Sequence, residues 1–274
     1  VSIMVKIFGG RVFYWNCGEP WKYKRNFFRE IFEQATYKLV TYLVTGTPGM
    51  ADAYARHYRI SRQKIKVMPN WIDVKNFQFL ISNFQKEARK IRADLHITAD
   101  AKVLLFAHRL SRRKGAHLLP DILNHLRDEQ VVLVVAGDGP ERENLKSQIV
   151  NLKLAEKIRL LGWVSQKDIA RYFAIADVFL MPSEEEGFPH VLLEAMAAGV
   201  PFTATDVGGV RDITSPGAHP YLVQSVDTRV YADRIRKLLS EEHVRKKLAT
   251  SLTTWVMRYD SAKVIAQFDA LFTV

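Results

Sequence analysis

Between residues 100 and 205 the chain repeats one pattern, a short and almost wholly apolar run followed by a stretch of helical spacing. The apolar runs are "AKVLLFAH", "VVLVVAGDGP", "KIRLLGWV", "DVFLMPS" and "PFTAT". A strand with one wet face alternates apolar and polar residues, so runs without alternation must be covered on both faces. Helices lying between the strands supply that cover. The expected fold class is therefore α/β, a parallel, doubly wound sheet. Helices are expected from about Lys114 to Arg127, from about Pro140 to Lys153, after Ser165, and across Glu194. Beyond residue 226 the chain reads as helical. Its last stretch, "SAKVIAQFDALFTV", places Val264, Ile265, Phe268, Leu271 and Phe272 on one face.

Residues 1–68 carry the same signals in shorter form. "VFYW", "TYLVTG" and "KIKVMP" are strand-like, with helices near Arg25–Lys38 and Pro48–His57. That makes roughly three strands where a complete doubly wound domain has about five or six, so the front is expected to be truncated. "PNWIDVKNFQF" reads as a connector.

Bulk properties narrow the function. With 48% apolar and 25% charged residues this is an ordinary globular composition. No run reaches the ~18 apolar residues of a membrane-spanning helix, and "VSIMVKIFGG" lacks the features of a secretory signal. The single cysteine, Cys17, excludes an internal disulfide and points to a reducing compartment, hence the cytoplasm. Of the net charge of +11, residues 1–66 carry +8, with 12 Lys plus Arg against 4 Asp plus Glu. Such asymmetry suits an anionic partner or a basic solubilising surface.

Two stretches carry chemistry. In "EEEGFPHVLLEAMAAGVP", Glu184 to Pro201, every residue from Val191 to Val200 is apolar or glycine except Glu194. Pro189 suits the first turn of a helix. The free N–H groups of that turn face the carboxyl end of the sheet, where open α/β sheets take anionic ligands. Glu194 lies roughly 7 Å further along the axis, within reach of hydroxyls on a ligand whose phosphates rest at the helix start. Glu186, eight residues earlier, faces the other end of such a ligand. The plainer alternative pairs Glu194 with a nearby Arg and leaves Glu186 in solvent; a buried carboxylate needs a partner in either case. The second stretch is "HRLSRRKG", after the first strand of the same sheet. Arg109 offers a fork of donors and Lys114 a point charge for two phosphates. Alternatively Arg109, Arg112, Arg113 and Lys114 form a solvated basic turn.

With "PNWIDVKNF", "VAGDGP", "LLGWVS" and "VGGVRDI" added to these, the chain from about Ile65 onward resembles the retaining nucleotide-sugar glycosyltransferases of family 4, of GT-B fold. Glu186 and Glu194 match the family's donor-site pair. The resemblance implies a partial acceptor-side domain at 1–75 and a nucleotide-sugar donor domain at 76–256. It also implies a helix at 257–274 that crosses back to the first domain. Glu194 would hold the ribose hydroxyls and Glu186 the transferred sugar, while Arg109 and Lys114 bind the diphosphate. The backbone from Gly187 and Phe188 through Pro189, His190 and Val191 would assist. Gly162, Trp163 and Val164 would lie beside the base, or Trp163 would simply be packed. "GDGP" reads equally as a tight turn, and His190 as a helix-start residue rather than a catalytic one. The donor would be a UDP- or GDP-sugar, with no other cofactor and no metal ion, since the histidines are scattered and no Asp-any-Asp pair occurs.

The acceptor would be a glycan or a lipid-linked molecule. "WNCGEPWKYKRNFFREIF" would then rest on the inner membrane face, or else Phe27, Phe28, Ile31 and Phe32 pack on the sheet. No nucleic-acid motif is present. Two alternatives to transfer remain: an epimerase or phosphorylase of the same fold, and a donor-binding half-protein that needs a partner chain or a missing N-terminal segment.

Overall fold

The computed structural model describes residues 9–24 and 26–272, with side chains through residue 268. Most of the "VSIMVKIFGG" stretch and the side chains of Leu271 and Phe272 lie outside the described residues.

Two parallel sheets organise the chain. The smaller has strands β1 (Phe13–Trp15), β2 (Tyr42–Thr45) and β3 (Ile65–Val67) in the order β1-β2-β3. Helices α1 (Phe27–Leu39) and α2 (Pro48–Tyr58) connect them. Each begins where a short polar side chain can take up a free N–H. Asn26 accepts from the Arg29 N–H at 2.9 Å, and Thr47 from the Met50 N–H at 3.2 Å. The core of this unit is built from aromatic rings, with Tyr37 4.5 Å from Tyr58 and 5.6 Å from Tyr54 between centroids.

Helices α3 (Val74–Lys86) and α4 (Ala88–Asp94) lead to the larger sheet. Its strands are β4 (Lys102–Ala107), β5 (Val131–Ala136), β6 (Ile158–Gly162), β7 (Val178–Met181), β8 (Phe202–Thr205) and β9 (Leu222–Val223). All pair parallel, in the order β6-β5-β4-β7-β8-β9. The order reverses direction between β4 and β7, which opens a crevice at their carboxyl ends. Helices α5 (Leu119–His125), α6 (Arg142–Asn151), α7 (Ile169–Phe173), α8 (His190–Ala197), α9 (Val210–Ile213), α10 (Thr228–Ser240) and α11 (Glu242–Val256) cover the two faces. The unalternating strands are buried as expected: Val103, Leu104, Leu105, Leu133, Val134 and Val135 exclude solvent almost entirely.

The terminal helix α12 (Ser261–Phe272) lies against the smaller sheet. Val264 is buried with Val44 and Met68, and the Phe268 ring sits 6.4 Å from that of Trp15. Ile265 is exposed, so it does not share the packed face with Val264 and Phe268.

Several expectations are corrected. The helix expected from Lys114 begins at Leu119, because Gly115 turns the chain in the left-handed region (φ 73°) and breaks residues 112–118 into two 3-10 turns. The second half of "PNWIDVKNFQF" is helix, capped by Asp73 and packed through Val74, Phe77 and Ile81 on the large core. The two-residue strand β9 is too short to leave a pattern. The largest correction concerns α1. Phe27, Phe28, Ile31 and Phe32 do not pack on the sheet; they are 70%, 80%, 50% and 73% exposed. The residue that α1 buries is Tyr37. At 100° per residue Tyr37 lies about 150° from the centre of the apolar arc. The helix docks through Tyr37, whose ring meets those of Tyr54 and Tyr58 in the small core.

Candidate active site

The loop after β4 and the loop after β7 flank the crevice and are joined to each other. The Glu184 N–H donates to the Arg113 carbonyl at 2.9 Å. Gly115 passes so close under Pro182 that a Cβ would overlap its carbonyl oxygen. Gly187 is equally confined, since its Cβ would overlap the Cys17 carbonyl of the smaller unit. These contacts fix Lys114 and Glu186 in one frame.

Glu186 is buried, and Lys114 Nζ lies 2.6 Å from its Oε1. His108 Nε2 lies 3.4 Å from the same oxygen. The Arg109 N–H donates to His108 Nδ1 at 3.0 Å, which leaves the imidazole proton on Nε2, facing the carboxylate. Burial pushes the Glu186 pKa up, but the His108 hydrogen bond and the Lys114 charge outweigh it and hold the carboxyl below its ordinary value. His108 opens the quoted "HRLSRRKG" stretch, yet nothing in that basic run marks it; the Glu186 contact exists only once β4 and β7 are neighbours. Lys114 is thus not a free cation. One of its three donors serves Glu186, and the others remain for a ligand.

Glu194 lies in the middle of α8, and among the described residues no hydrogen bond or ion pair reaches its carboxyl. The alternative pairing of Glu194 with an arginine is therefore not formed among the described residues. Burial alone raises its pKa from 4.5 to about 7. Such a group is costly without a ligand. The first turn of α8 has Pro189 at its cap position and no side-chain cap, so its leading N–H groups point into the crevice. Desolvation lowers the His190 pKa from its ordinary value of 6.5.

The crevice encloses about 920 Å³. It is lined by His108, Arg109 and Lys114 on one side, and by Glu186, Phe188, Pro189, His190, Val191 and Glu194 on the other. Asp138, Gly139, Trp163 and Val164 complete the wall, while Gly162 adjoins it. Gly187 belongs to the same loop but faces Cys17. Arg109 is exposed and, among the described residues, its guanidinium has no partner. Arg113 is not simply solvated: its Nη1 donates to the Tyr23 hydroxyl at 3.0 Å, and Tyr23 donates to Glu185 at 2.7 Å across the cleft mouth. Trp163 is 77% exposed, which excludes the packed alternative. The "GDGP" turn is stitched to its neighbours, the Gly137 N–H donating to the Gly162 carbonyl at 2.7 Å and the Leu110 N–H to that of Asp138 at 2.9 Å. Among the described residues no group of three His, Cys, Asp or Glu side chains converges on a metal position, and no helix is long and apolar enough to cross a membrane.

A cleft at the switch point of a 3-2-1-4-5-6 sheet, faced by a second parallel sheet, defines the GT-B class of α/β proteins. Comparison with known proteins places the chain within that class. Residues 87–254 match the family described as "Glycosyl transferases group 1", and the chain belongs to it. A D-inositol 3-phosphate glycosyltransferase of Paenarthrobacter aurescens is 30% identical over 232 residues, covering 82% of this chain and 55% of the relative. The lipopolysaccharide core biosynthesis glycosyltransferase LpsE of Rhizobium meliloti is 33% identical over 214 residues, 76% of this chain and 56% of the relative. The chain spans about half the length of the curated relatives it matches. Among solved structures, Anabaena Alr3699/HepE in complex with UDP and glucose superposes with a TM-score of 0.83 at 21% identity, over 99% of this chain and 74% of that one. Sucrose-phosphate synthase from Thermosynechococcus elongatus gives a TM-score of 0.78 at 22% identity, over 91% and 62%. At such identities the likeness is one of fold.

Proposed function

We propose that the protein transfers a sugar from a UDP- or GDP-sugar to an acceptor hydroxyl, with retention at the anomeric carbon. The observation that carries this reading is the pair of carboxylates on one cleft, a buried Glu186 satisfied by protein cations and a half-buried Glu194 left for a ligand. Glu194 accepts from the ribose hydroxyls. Glu186, oriented by Lys114 and His108, meets the transferred sugar. Arg109, the spare donors of Lys114 and the leading N–H groups of α8 receive the diphosphate. Trp163 stands at the rim beside Gly162 and Val164, where a base can lie against it. In the step itself the anomeric carbon–oxygen bond to the diphosphate breaks and the acceptor oxygen bonds to that carbon. The acceptor proton leaves with the diphosphate. Negative charge grows on the leaving group, and fixed cations and N–H groups aimed at it lower the barrier. The acceptor wall belongs to the smaller unit, at 1–75.

Calorimetric titration with UDP, GDP and their sugars tests the donor role, and release of free nucleotide tests turnover. Glu194→Ala is expected to weaken nucleotide binding by about 1.5–3 kcal/mol, the worth of hydrogen bonds to a charged group. Glu186→Ala is expected to slow turnover more than it weakens binding. A folded protein that binds none of these nucleotides overturns the reading.

A further inference from the structure

We infer that Tyr23 is a positioning residue for the transfer step, the group by which the smaller unit sets the Lys114–Glu186 pair. The three glutamates of the loop after β7 face the loop after β4. Glu184 Oε1 lies 3.7 Å from His117 Nε2, and Glu186 Oε1 lies 2.6 Å from Lys114 Nζ. Between them, Glu185 is tied to Arg113 through Tyr23. The Tyr23 hydroxyl donates to Glu185 Oε1 at 2.7 Å and accepts from Arg113 Nη1 at 3.0 Å. Arg113 and Glu185 are the chain neighbours of Lys114 and Glu186. A shift of Tyr23 is therefore delivered one residue away from each member of the pair.

Tyr23 ends a segment that the smaller unit holds in place. Pro20 is buried, the Trp21 ring meets that of Tyr54 at 5.0 Å, and the Tyr54 hydroxyl donates to the Gly18 carbonyl at 2.9 Å. The same segment runs along residues 185–187. Gly187 abuts the Cys17 carbonyl. Gly208 lies between the Glu186 carbonyl and the Glu19 carboxylate, since a Cβ there would fall 1.5 Å from the first and 3.4 Å from Oε2 of the second. Glu19 itself is buried and paired with Lys22 at 2.7 Å. The aromatic core of the smaller unit, residues 17–23 and the Glu186 loop thus form one line of contact. Desolvation, and then the Glu185 hydrogen bond, raise the Tyr23 pKa, so the hydroxyl keeps its proton for Glu185. With Tyr23 43% exposed, these bonds add little to folding stability. What they supply is orientation, and a misplacement of about 1 Å in a reacting group costs on the order of a hundredfold in rate.

The role rests on the donor-site reading above, and two kinds of measurement keep their failures apart. Hydrogen exchange of the free protein needs no ligand. Tyr23→Phe is expected to speed exchange in residues 182–189 by about threefold or more while β4, β5 and β8 stay protected. Calorimetry with UDP and GDP, and release of nucleotide from a panel of UDP- and GDP-hexoses, follow. Tyr23→Phe is expected to lower kcat roughly ten- to a hundredfold, with nucleotide Kd within about twofold of wild type and melting temperature unchanged. Glu185→Ala should reproduce that loss, and Glu185→Gln, which keeps an oxygen for the hydroxyl, should recover most of it. Tyr23→Phe combined with Glu185→Ala should be no slower than either change alone. Unchanged exchange in residues 182–189, an unchanged kcat, or losses that multiply in the double variant would each overturn the inference. A folded wild-type chain that binds none of the nucleotides and releases none overturns the donor-site reading, and the role of Tyr23 in transfer with it.

Discussion

At the scale of single residues, Glu194 sets stability against function. Its pKa rises from 4.5 to about 7 because burial disfavours the charged form. Between those values the folded protein holds a proton that the unfolded chain has released, so stability falls as pH rises from 4.5 to 7 and the loss is complete above 7. Glu194→Gln removes the buried charge. It is expected to stabilise the protein by on the order of 2–3 kcal/mol at pH 8 and hardly at all at pH 4.5. Thermal melts at the two pH values check this, and equal stabilisation at both would refute the buried-charge account. Nucleotide affinity should move the other way. Ribose hydroxyls donate to the carboxylate, so binding is expected to strengthen as pH rises through about 7 in wild type and to lose that dependence in Glu194→Gln. Glu186 has the opposite linkage. Its lowered pKa contributes stability above the ordinary value of 4.5, lost as pH falls through the folded value. Both carboxylates were legible in the sequence, Glu194 as the one charge in an apolar helix and Glu186 by its spacing. Their environments were not, since Lys114 and His108 reach Glu186 only across the β4–β7 crevice.

Elements show the same division between what is local and what is not. The apolar strands announce themselves because burial on both faces leaves no alternation, and capping residues such as Thr47 sit next to the helices they begin. Turns imposed by a distant backbone leave no such mark. Gly115 sits at φ 73° with the Pro182 backbone crossing against it, and the stretch of helical spacing around it forms 3-10 turns instead. Gly115→Ala combines an unfavourable φ with a backbone clash, so a cost well above about 1 kcal/mol is expected. Because the same loop positions Lys114 against Glu186, nucleotide affinity should fall with stability. A variant that melts early but binds normally would show the two loops to be independent. Helix α1 marks the limit of periodicity as evidence. The spacing of Phe27, Phe28, Ile31 and Phe32 establishes that one face is apolar, and says nothing of whether that face meets protein, lipid or another chain.

At the scale of the whole molecule, strand–helix alternation and the handedness of parallel crossovers make the large sheet parallel and doubly wound, but they leave its strand order open, since more than one order obeys the same rules. The joint between the two sheets is made of contacts far apart in sequence. The Gly49 N–H, at the start of α2, donates to Asp212 at 2.9 Å, the Asn70 amide to the Phe188 carbonyl at 3.2 Å, and Tyr23 to Glu185. Helix α12 adds the apolar part, with Val264 closed between Val44 and Met68. If the smaller sheet depends on that contact more than on its own short strands, Val264→Asp should act on one unit only. Placing a carboxylate without a partner in that core is expected to cost about 3 kcal/mol or more. The cost should appear as local opening rather than global unfolding, because units with separate cores need not open together. Hydrogen exchange followed by mass spectrometry should then show lost protection in β2 and β3 while β4 to β8 stay protected. Nucleotide binding should persist, since every residue assigned to the donor lies on the large sheet's side of the cleft. Equal loss of protection in both sheets would mean that the chain folds as one cooperative unit, with α12 part of a single core.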